Sequence, residues 1–180
     1  MIYTCTVDTP LGAMTAAAED GALTGLWFTG QKYYPPAGGW TPKPDYPAFE
    51  ALRKWLEVYF SGRAPPPWKN RRLPASGPDA GAGKLRLNPR GTDFQKAVWE
   101  ILLAIPYGEL STYGAIAKEL AAARGVDSMS ARAAGGAAGR NPISILIPCH
   151  RVVGSTGGLT GYAGGLDKKR ALLRLEGRYS

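Results

Sequence analysis

Cys149 and His150 stand side by side in Ile147-Pro148-Cys149-His150-Arg151-Val152, pairing one of two cysteines with the sole histidine of a 180-residue chain. A cysteine is a strong nucleophile as its thiolate, and a nearby histidine or arginine ordinarily favours that form near neutral pH. The competing interpretation is an inert core cysteine, a common state in an apolar run. Pro148, His150 and Arg151 argue against it, because an inert core position has no use for two adjacent titratable or cationic groups. Ile143, Ile145, Leu146 and Ile147 before the cysteine, and Val152-Val153 after it, suggest a buried strand leading into an irregular turn. The reactive cluster would then lie at the floor of an apolar pocket.

A second segment has a different chemistry. Ala131-Arg132-Ala133-Ala134-Gly135-Gly136-Ala137-Ala138-Gly139 holds eight Ala or Gly and one long side chain. Each interior glycine costs a helix roughly 1 kcal/mol relative to alanine, so stability alone does not select this run. Small residues allow a backbone to approach another surface closely, and a narrow DNA groove is such a surface. Arg132 is the one group long enough to enter a base stack, where a planar cation can fill the space of an extruded base. Tight helix–helix packing with Arg132 at a solvated edge is the alternative. The formal net charge of +8, shared evenly between the two halves, nominates a polyanionic partner, nucleic acid first.

The remaining pattern gives the elements that must position these residues. Ile2–Val7, Ala13–Ala18 and Ala22–Phe28 read as a meander with an Asp20-Gly21 hairpin signal. Residues 31–45 form a Gly/Pro-rich loop, and a helix fits Pro47–Phe60 with Phe49, Leu52, Leu56 and Tyr59 on one face. Arg63–Gly83 reads as an exposed connection, followed by a short strand at Leu85-Arg86-Leu87. The domain boundary falls near residues 88–91, giving domains 1–90 and 91–180. Beyond it, Thr92-Asp93-Phe94-Gln95 is a capping box for a helix closed by Pro106-Tyr107-Gly108. Ser111 caps a second helix through Leu120, a loop runs over Ala121–Ser130, the bare helix follows, and a final helix fits Asp167–Glu176. The helix Ser111–Leu120, a turn and the bare helix make a helix-turn-helix arrangement.

A hydrophobic fraction of 44% and a charged fraction of 20% are those of an ordinary globular protein. No run of 18 apolar residues and no signal-peptide pattern is present, which argues against a membrane partner and for the cytoplasm. Cys5 and Cys149 make neither a disulfide framework nor a metal site by spacing.

Six motifs together are similar to the signature of the O6-alkylguanine-DNA alkyltransferases, also called methylated-DNA–protein-cysteine methyltransferases. They are Gly91-Thr92-Asp93-Phe94-Gln95, Ile105-Pro106-Tyr107-Gly108-Glu109, Ser111-Thr112-Tyr113, Ala131-Arg132-Ala133, Gly139-Arg140-Asn141-Pro142 and the run Ile147–Val152. The resemblance covers residues 91–177 and extends more loosely to Pro10-Leu11-Gly12 and Gly25-Leu26-Trp27-Phe28.

The resemblance implies an α+β or α/β chain. A small ribonuclease-H-like N-terminal domain with a β-meander would precede a mainly helical C-terminal domain with a winged-helix-like helix-turn-helix. It implies direct, irreversible transfer of an alkyl group from O6 of guanine to Cys149 in a single turnover, with no cofactor. The partner it implies is double-stranded DNA containing O6-alkylguanine, bound by a monomer through the minor groove; O4-alkylthymine is a further candidate substrate. Arg132 resembles the finger that supports flipping, Tyr113 the group that rotates the phosphate, and Asn141 the link from recognition helix to active-site strand. Tyr162, Ala163 and Gly164 resemble the loop over the flipped base, with Val152 in the same pocket, and Glu176 the carboxylate paired with histidine. Ser111, Thr112, Ala131, Ala133, Gly135, Gly136, Arg140 and Arg151 complete the implied DNA face.

This set is chemically coherent. Neighbouring residues do not normally face each other along a strand or helix, so a water is expected between Cys149 and His150. Glu176 would orient the opposite ring nitrogen, completing a nucleophile–base–orienter arrangement. A hydroxyl such as that of Tyr113, donating to a guanine ring nitrogen, would improve the leaving group. Ala163 and Gly164 hint at room for larger adducts. Two segments, 63–83 and 121–130, look expanded relative to the family. Some members hold zinc in the N-terminal domain, but Cys5 lacks partners and no metal is expected. The alternatives are a non-enzymatic binder of alkylated DNA, which would lack the reactive cysteine, and a cysteine hydrolase, which would have no use for Arg132.

Overall fold

Alternation in the first 30 residues becomes an antiparallel meander. In the computed structural model, which describes residues 1–36, 38–65 and 85–179, the strands are β1 (Ile2–Thr9), β2 (Gly12–Glu19) and β3 (Ala22–Phe28). Asp20 and Gly21 both take positive φ, the backbone a two-residue hairpin requires. A fourth strand, β4 (Trp40–Pro42), lies within the expected loop and pairs parallel with β1, giving the order β3-β2-β1-β4. Trp40 stacks on Trp27 with ring centroids 5.9 Å apart. Helix α1 (Pro47–Phe60) has Pro47 in its first turn and buries Phe49, Leu52, Leu56 and Tyr59. The expected connection 63–83 lies outside the described residues from position 66 onward.

The C-terminal half is helical. Helix α2 (Asp93–Leu103) begins with the capping box: the Gln95 amide donates to Thr92 Oγ1 at 3.1 Å, and the Thr92 amide to Gln95 Oε1 at 2.9 Å. Ser111 does not cap the next helix. Ser111–Thr112 forms a short strand, β5, parallel to β6 (Val152–Val153), and Thr112 caps α3 (Tyr113–Arg124) through the Ala115 amide. Helix α3 continues past Leu120 because Ala121-Ala122-Ala123-Arg124 are strong helix formers, and it stops at Gly125 in the left-handed conformation. The connection to α4 (Ala131–Gly139) is therefore shorter than the expected 121–130 loop. Ser130 caps α4, and α5 (Leu166–Leu175) closes the fold with Glu176 as its C-cap.

The two halves share one continuous apolar core. The β3 edge is covered by C-terminal backbone: the Leu26 amide donates to Pro142 O at 2.8 Å, and the Ser144 amide to Leu26 O at 2.9 Å. Leu87 makes a single bridge to Leu23 on the same strand. Residues 143–147 are thus not a strand. They form a buried turn, with Ile145 at φ +71°, whose apolar side chains fill the interface with the sheet. Among the described residues no helix is long and apolar enough to cross a membrane, and no group of three His, Cys, Asp or Glu could hold a metal.

Candidate active site

Helix α4 ends at Gly139, and two residues later Asn141 fixes the approach to the cysteine. Asn141 Nδ2 donates to Ile147 O at 2.7 Å and to Cys149 Sγ at 3.3 Å, while its Oδ1 accepts the Ile143 amide at 2.9 Å. One buried amide therefore closes the turn and reaches the nucleophile. Cys149 opens a single turn of 3₁₀ helix, Cys149–Arg151, and is 8% exposed. Burial pushes its thiol pKa up, with the Asn141 hydrogen bond and the Lys169 charge acting in the opposite direction. The free thiol is the resting form, so activation requires a base.

His150 is fully buried. Its Nε2 lies 2.8 Å from Glu176 Oε1; an ionised carboxylate only accepts, so Nε2 carries the proton and Nδ1 presents its lone pair. Nδ1 is buried and takes no partner from the protein. Burial lowers the His150 pKa despite the adjoining Glu176. For Glu176, burial raises the pKa, but hydrogen bonds from His150 and Arg151 outweigh it and bring the carboxyl to about 2. The pair is therefore neutral imidazole and carboxylate, poised to accept one proton at Nδ1.

Arg151 departs from expectation. Its guanidinium is buried, donating from Nη2 to Glu176 Oε1 at 2.8 Å, from Nε to Oε2 at 2.9 Å and from Nη1 to Ile105 O at 2.8 Å. A side chain so committed is not a DNA contact; it neutralises Glu176 instead. It does not activate the cysteine directly either.

Lys169 was not among the expected site residues. It is fully buried, and Nζ donates to Val152 O (2.6 Å), Thr160 O (2.9 Å) and Gly161 O (3.3 Å), tying the 157–165 loop to β6. Burial lowers its pKa to about 8. The signal was present: Lys169, Leu172, Leu173 and Glu176 follow i, i+3, i+4, i+7 on one helical face, which makes Lys169 a core position.

The loop and the helical face complete the site. Tyr113 donates its hydroxyl to Thr160 O at 3.0 Å, and its ring lies where a Cβ on Gly135 would approach to 3.3 Å. Tyr162 buries its hydroxyl near Cys149 and Ser144 without a well-formed hydrogen bond, and burial raises its pKa well above the ordinary value. A Cβ on Gly164 would stand 2.8 Å from the Phe28 ring. It would also stand 3.0 Å from the Tyr162 ring, so the bare position lets the loop pack between β3 and Tyr162. Ala163 O accepts the Lys32 amide at 3.0 Å, a further tie to the N-terminal half. Val152 is buried in β6, and Ser111 and Thr112 are half-buried in β5. On α4, Ala131, Arg132, Ala133 and Gly136 are exposed, as is Arg140, whose guanidinium stacks 4.4 Å from the Tyr33 ring centroid. Gly136 and Gly139 have nothing within 4 Å of a built Cβ, so intramolecular packing does not require them.

Residues 93–178 match the family profile of the 6-O-methylguanine DNA methyltransferase DNA-binding domain, and residues 1–66 that of its ribonuclease-like domain. The methylated-DNA–protein-cysteine methyltransferase of Mycobacterium tuberculosis is 43% identical, over 98% of this chain and 93% of its own length. That of Methanosarcina acetivorans is 37% identical, over 98% and 99%. The crystal structure of Mycobacterium tuberculosis OGT in complex with DNA superposes with a TM-score of 0.79 at 40% identity, covering 97% of this chain and 93% of that one. The chain belongs to the methylated-DNA–protein-cysteine methyltransferase family.

Proposed function

We propose that the protein repairs O6-alkylguanine in double-stranded DNA by moving the alkyl group onto Cys149, once per molecule. The observation that carries this reading is the buried thiol joined by Asn141 to the end of the bare helix α4, next in sequence to a neutral imidazole whose buried Nδ1 takes no partner from the protein. α4 lies in the minor groove, its Gly136 and Gly139 allowing close approach, and Arg132 fills the stack when the nucleotide is extruded. Ser111, Thr112, Ala131, Ala133, Gly135 and Arg140 belong to or support this face. The flipped base sits against Val152, Tyr162, Ala163 and Gly164.

In the transfer step the Cys149 thiol proton passes through a water to His150 Nδ1. Sulfur attacks the alkyl carbon; a carbon–sulfur bond forms as the carbon–O6 bond breaks, and the electron pair leaves with guanine. Tyr113 exchanges its Thr160 acceptor for a guanine ring nitrogen and donates there, relieving the developing charge. Glu176, held by Arg151, steadies the imidazolium that results. The thioether has no route to hydrolysis, so Cys149 is consumed. A lesion-flagging binder would need none of this relay. The protein acts as a monomer in the cytoplasm, where Cys149 stays reduced. Mapping of the alkyl group after incubation with O6-methylguanine DNA tests the reading: it belongs on Cys149, one per chain.

A further inference from the structure

Glu176 accepts a donor that no part of the C-terminal half supplies. Tyr59 lies on α1 and is fully buried, and its hydroxyl donates to Glu176 Oε1 at 2.8 Å. Its ring stacks on Trp55 at 5.4 Å and meets Tyr107 edge-on at 5.9 Å, so the hydroxyl is held in place. Oε1 is also the oxygen that accepts from His150 Nε2 and Arg151 Nη2, each at 2.8 Å. The 3.4 Å approach of Tyr59 to Nε2 is not a second bond in this tautomer, because Nε2 already spends its proton on Glu176.

We infer that Tyr59 is a positioning residue of the transfer site: the N-terminal half donates a hydroxyl to Glu176 and so limits how strongly that carboxylate holds the His150 proton. This deepens the proposed alkyl-transfer reading and rests on it for its catalytic meaning. Donors from three residues share this one oxygen and divide its electron density, so each makes the carboxylate a weaker acceptor for the others. His150 is faced by Lys169 from α5 and Glu176 from its C-cap, by Cys149 and Arg151 from its own turn, and by Tyr59 from α1, with Tyr162 of the 157–165 loop near Glu176; Tyr107 lies across Arg151. Of the groups that donate to Glu176, Tyr59 alone can lose its donor while every charge and the ring packing stay in place. A phenylalanine there leaves Glu176 the stronger acceptor, and the imidazolium gains stability.

The sole histidine of the chain makes the test direct. The His150 Hε1 resonance, followed by NMR across pH, is the one signal of its kind in the chain. Tyr59→Phe raises the pH at which it titrates by about half a unit to one unit. The acid limb of benzyl transfer from free O6-benzylguanine moves up in step, while affinity for duplex DNA stays at the wild-type value. Phenylalanine keeps the Trp55 stack, and an unchanged amide spectrum verifies the fold. A His150 titration that coincides with wild type overturns the assignment. If instead wild type takes no benzyl group while the titration still moves in Tyr59→Phe, the alkyl-transfer reading fails and the Tyr59–Glu176 coupling stands.

Discussion

Asn141 and Cys149 are joined by a 3.3 Å hydrogen bond from side-chain amide to sulfur, and the same amide nitrogen holds Ile147 O at 2.7 Å. Asn141 follows α4 by two residues. The end of that helix therefore reaches the thiol through one side chain rather than through a loop. Cys149 and the end of α4 are thus tied together directly, and if α4 is the helix that meets DNA the consequences can be measured separately.

Gly136 tests the bare face of α4. A side chain there meets nothing within the protein, and replacing an interior helical glycine gains roughly 1 kcal/mol. Gly136→Leu should raise the thermal midpoint while weakening duplex binding by at least about tenfold, as side-chain bulk keeps the backbone out of the groove. Fluorescence anisotropy and thermal denaturation read the two effects, whose opposite signs separate a groove contact from ordinary packing.

Arg132 is exposed on the same face. Arg132→Ala should slow repair in duplex DNA by about tenfold or more, since the extruded base leaves unfilled space, and barely change reaction with free O6-benzylguanine. Equal losses on both substrates would remove Arg132 from the flipping role.

Gly164 docks the loop on Phe28. Gly164→Ala places a methyl group 2.8 Å from that ring, and overpacking of this kind costs about 1–3 kcal/mol. Transfer to Cys149 should slow, and a second change, Phe28→Leu, should restore part of the rate. Absence of any rescue would place the clash at the Tyr162 ring, 3.0 Å from the same Cβ, rather than at Phe28.

Glu176 sets the acid limit. Its carboxyl lies at about 2 against an ordinary 4.5, a shift corresponding to roughly 3 kcal/mol. A depressed carboxylate contributes fully above pH 4.5 and loses that contribution as pH falls toward 2. His150, also lowered, adds loss in the same direction once the unfolded histidine protonates. Glu176→Gln leaves the Arg151 guanidinium buried without its counter-charge, at a cost of about 3–5 kcal/mol. Urea unfolding at pH 7 and pH 3.5 should show the variant weaker at pH 7 and less sensitive to acid than wild type. Equal stability at pH 7 would contradict the ion pair.

The sequence was most legible where local chemistry decides. The meander, α1 with its first-turn proline and the Thr92–Gln95 capping box all follow from short-range pattern. The Cys149–His150 pair and Glu176 were nameable because their residue types are scarce or match a motif. What escaped depends on distant partners. Ile143–Ile147 has the composition of a strand, yet its backbone bonds go to Leu26 and to its own turn. Arg151 read as a DNA cation until its position placed it against Glu176, twenty-five residues away. Lys169 falls on the buried face of α5 and Tyr59 on the apolar face of α1, but only the tertiary structure turns one toward the loop carbonyls and the other toward the relay.

The most direct test of the account is the fate of one sulfur. Incubation with excess duplex containing a single O6-methylguanine, followed by peptide mass spectrometry, should find one methyl group on the peptide bearing Cys149, with repair stopping at one lesion per protein molecule. Continued turnover, or methylation of Cys5 in place of Cys149, would contradict it.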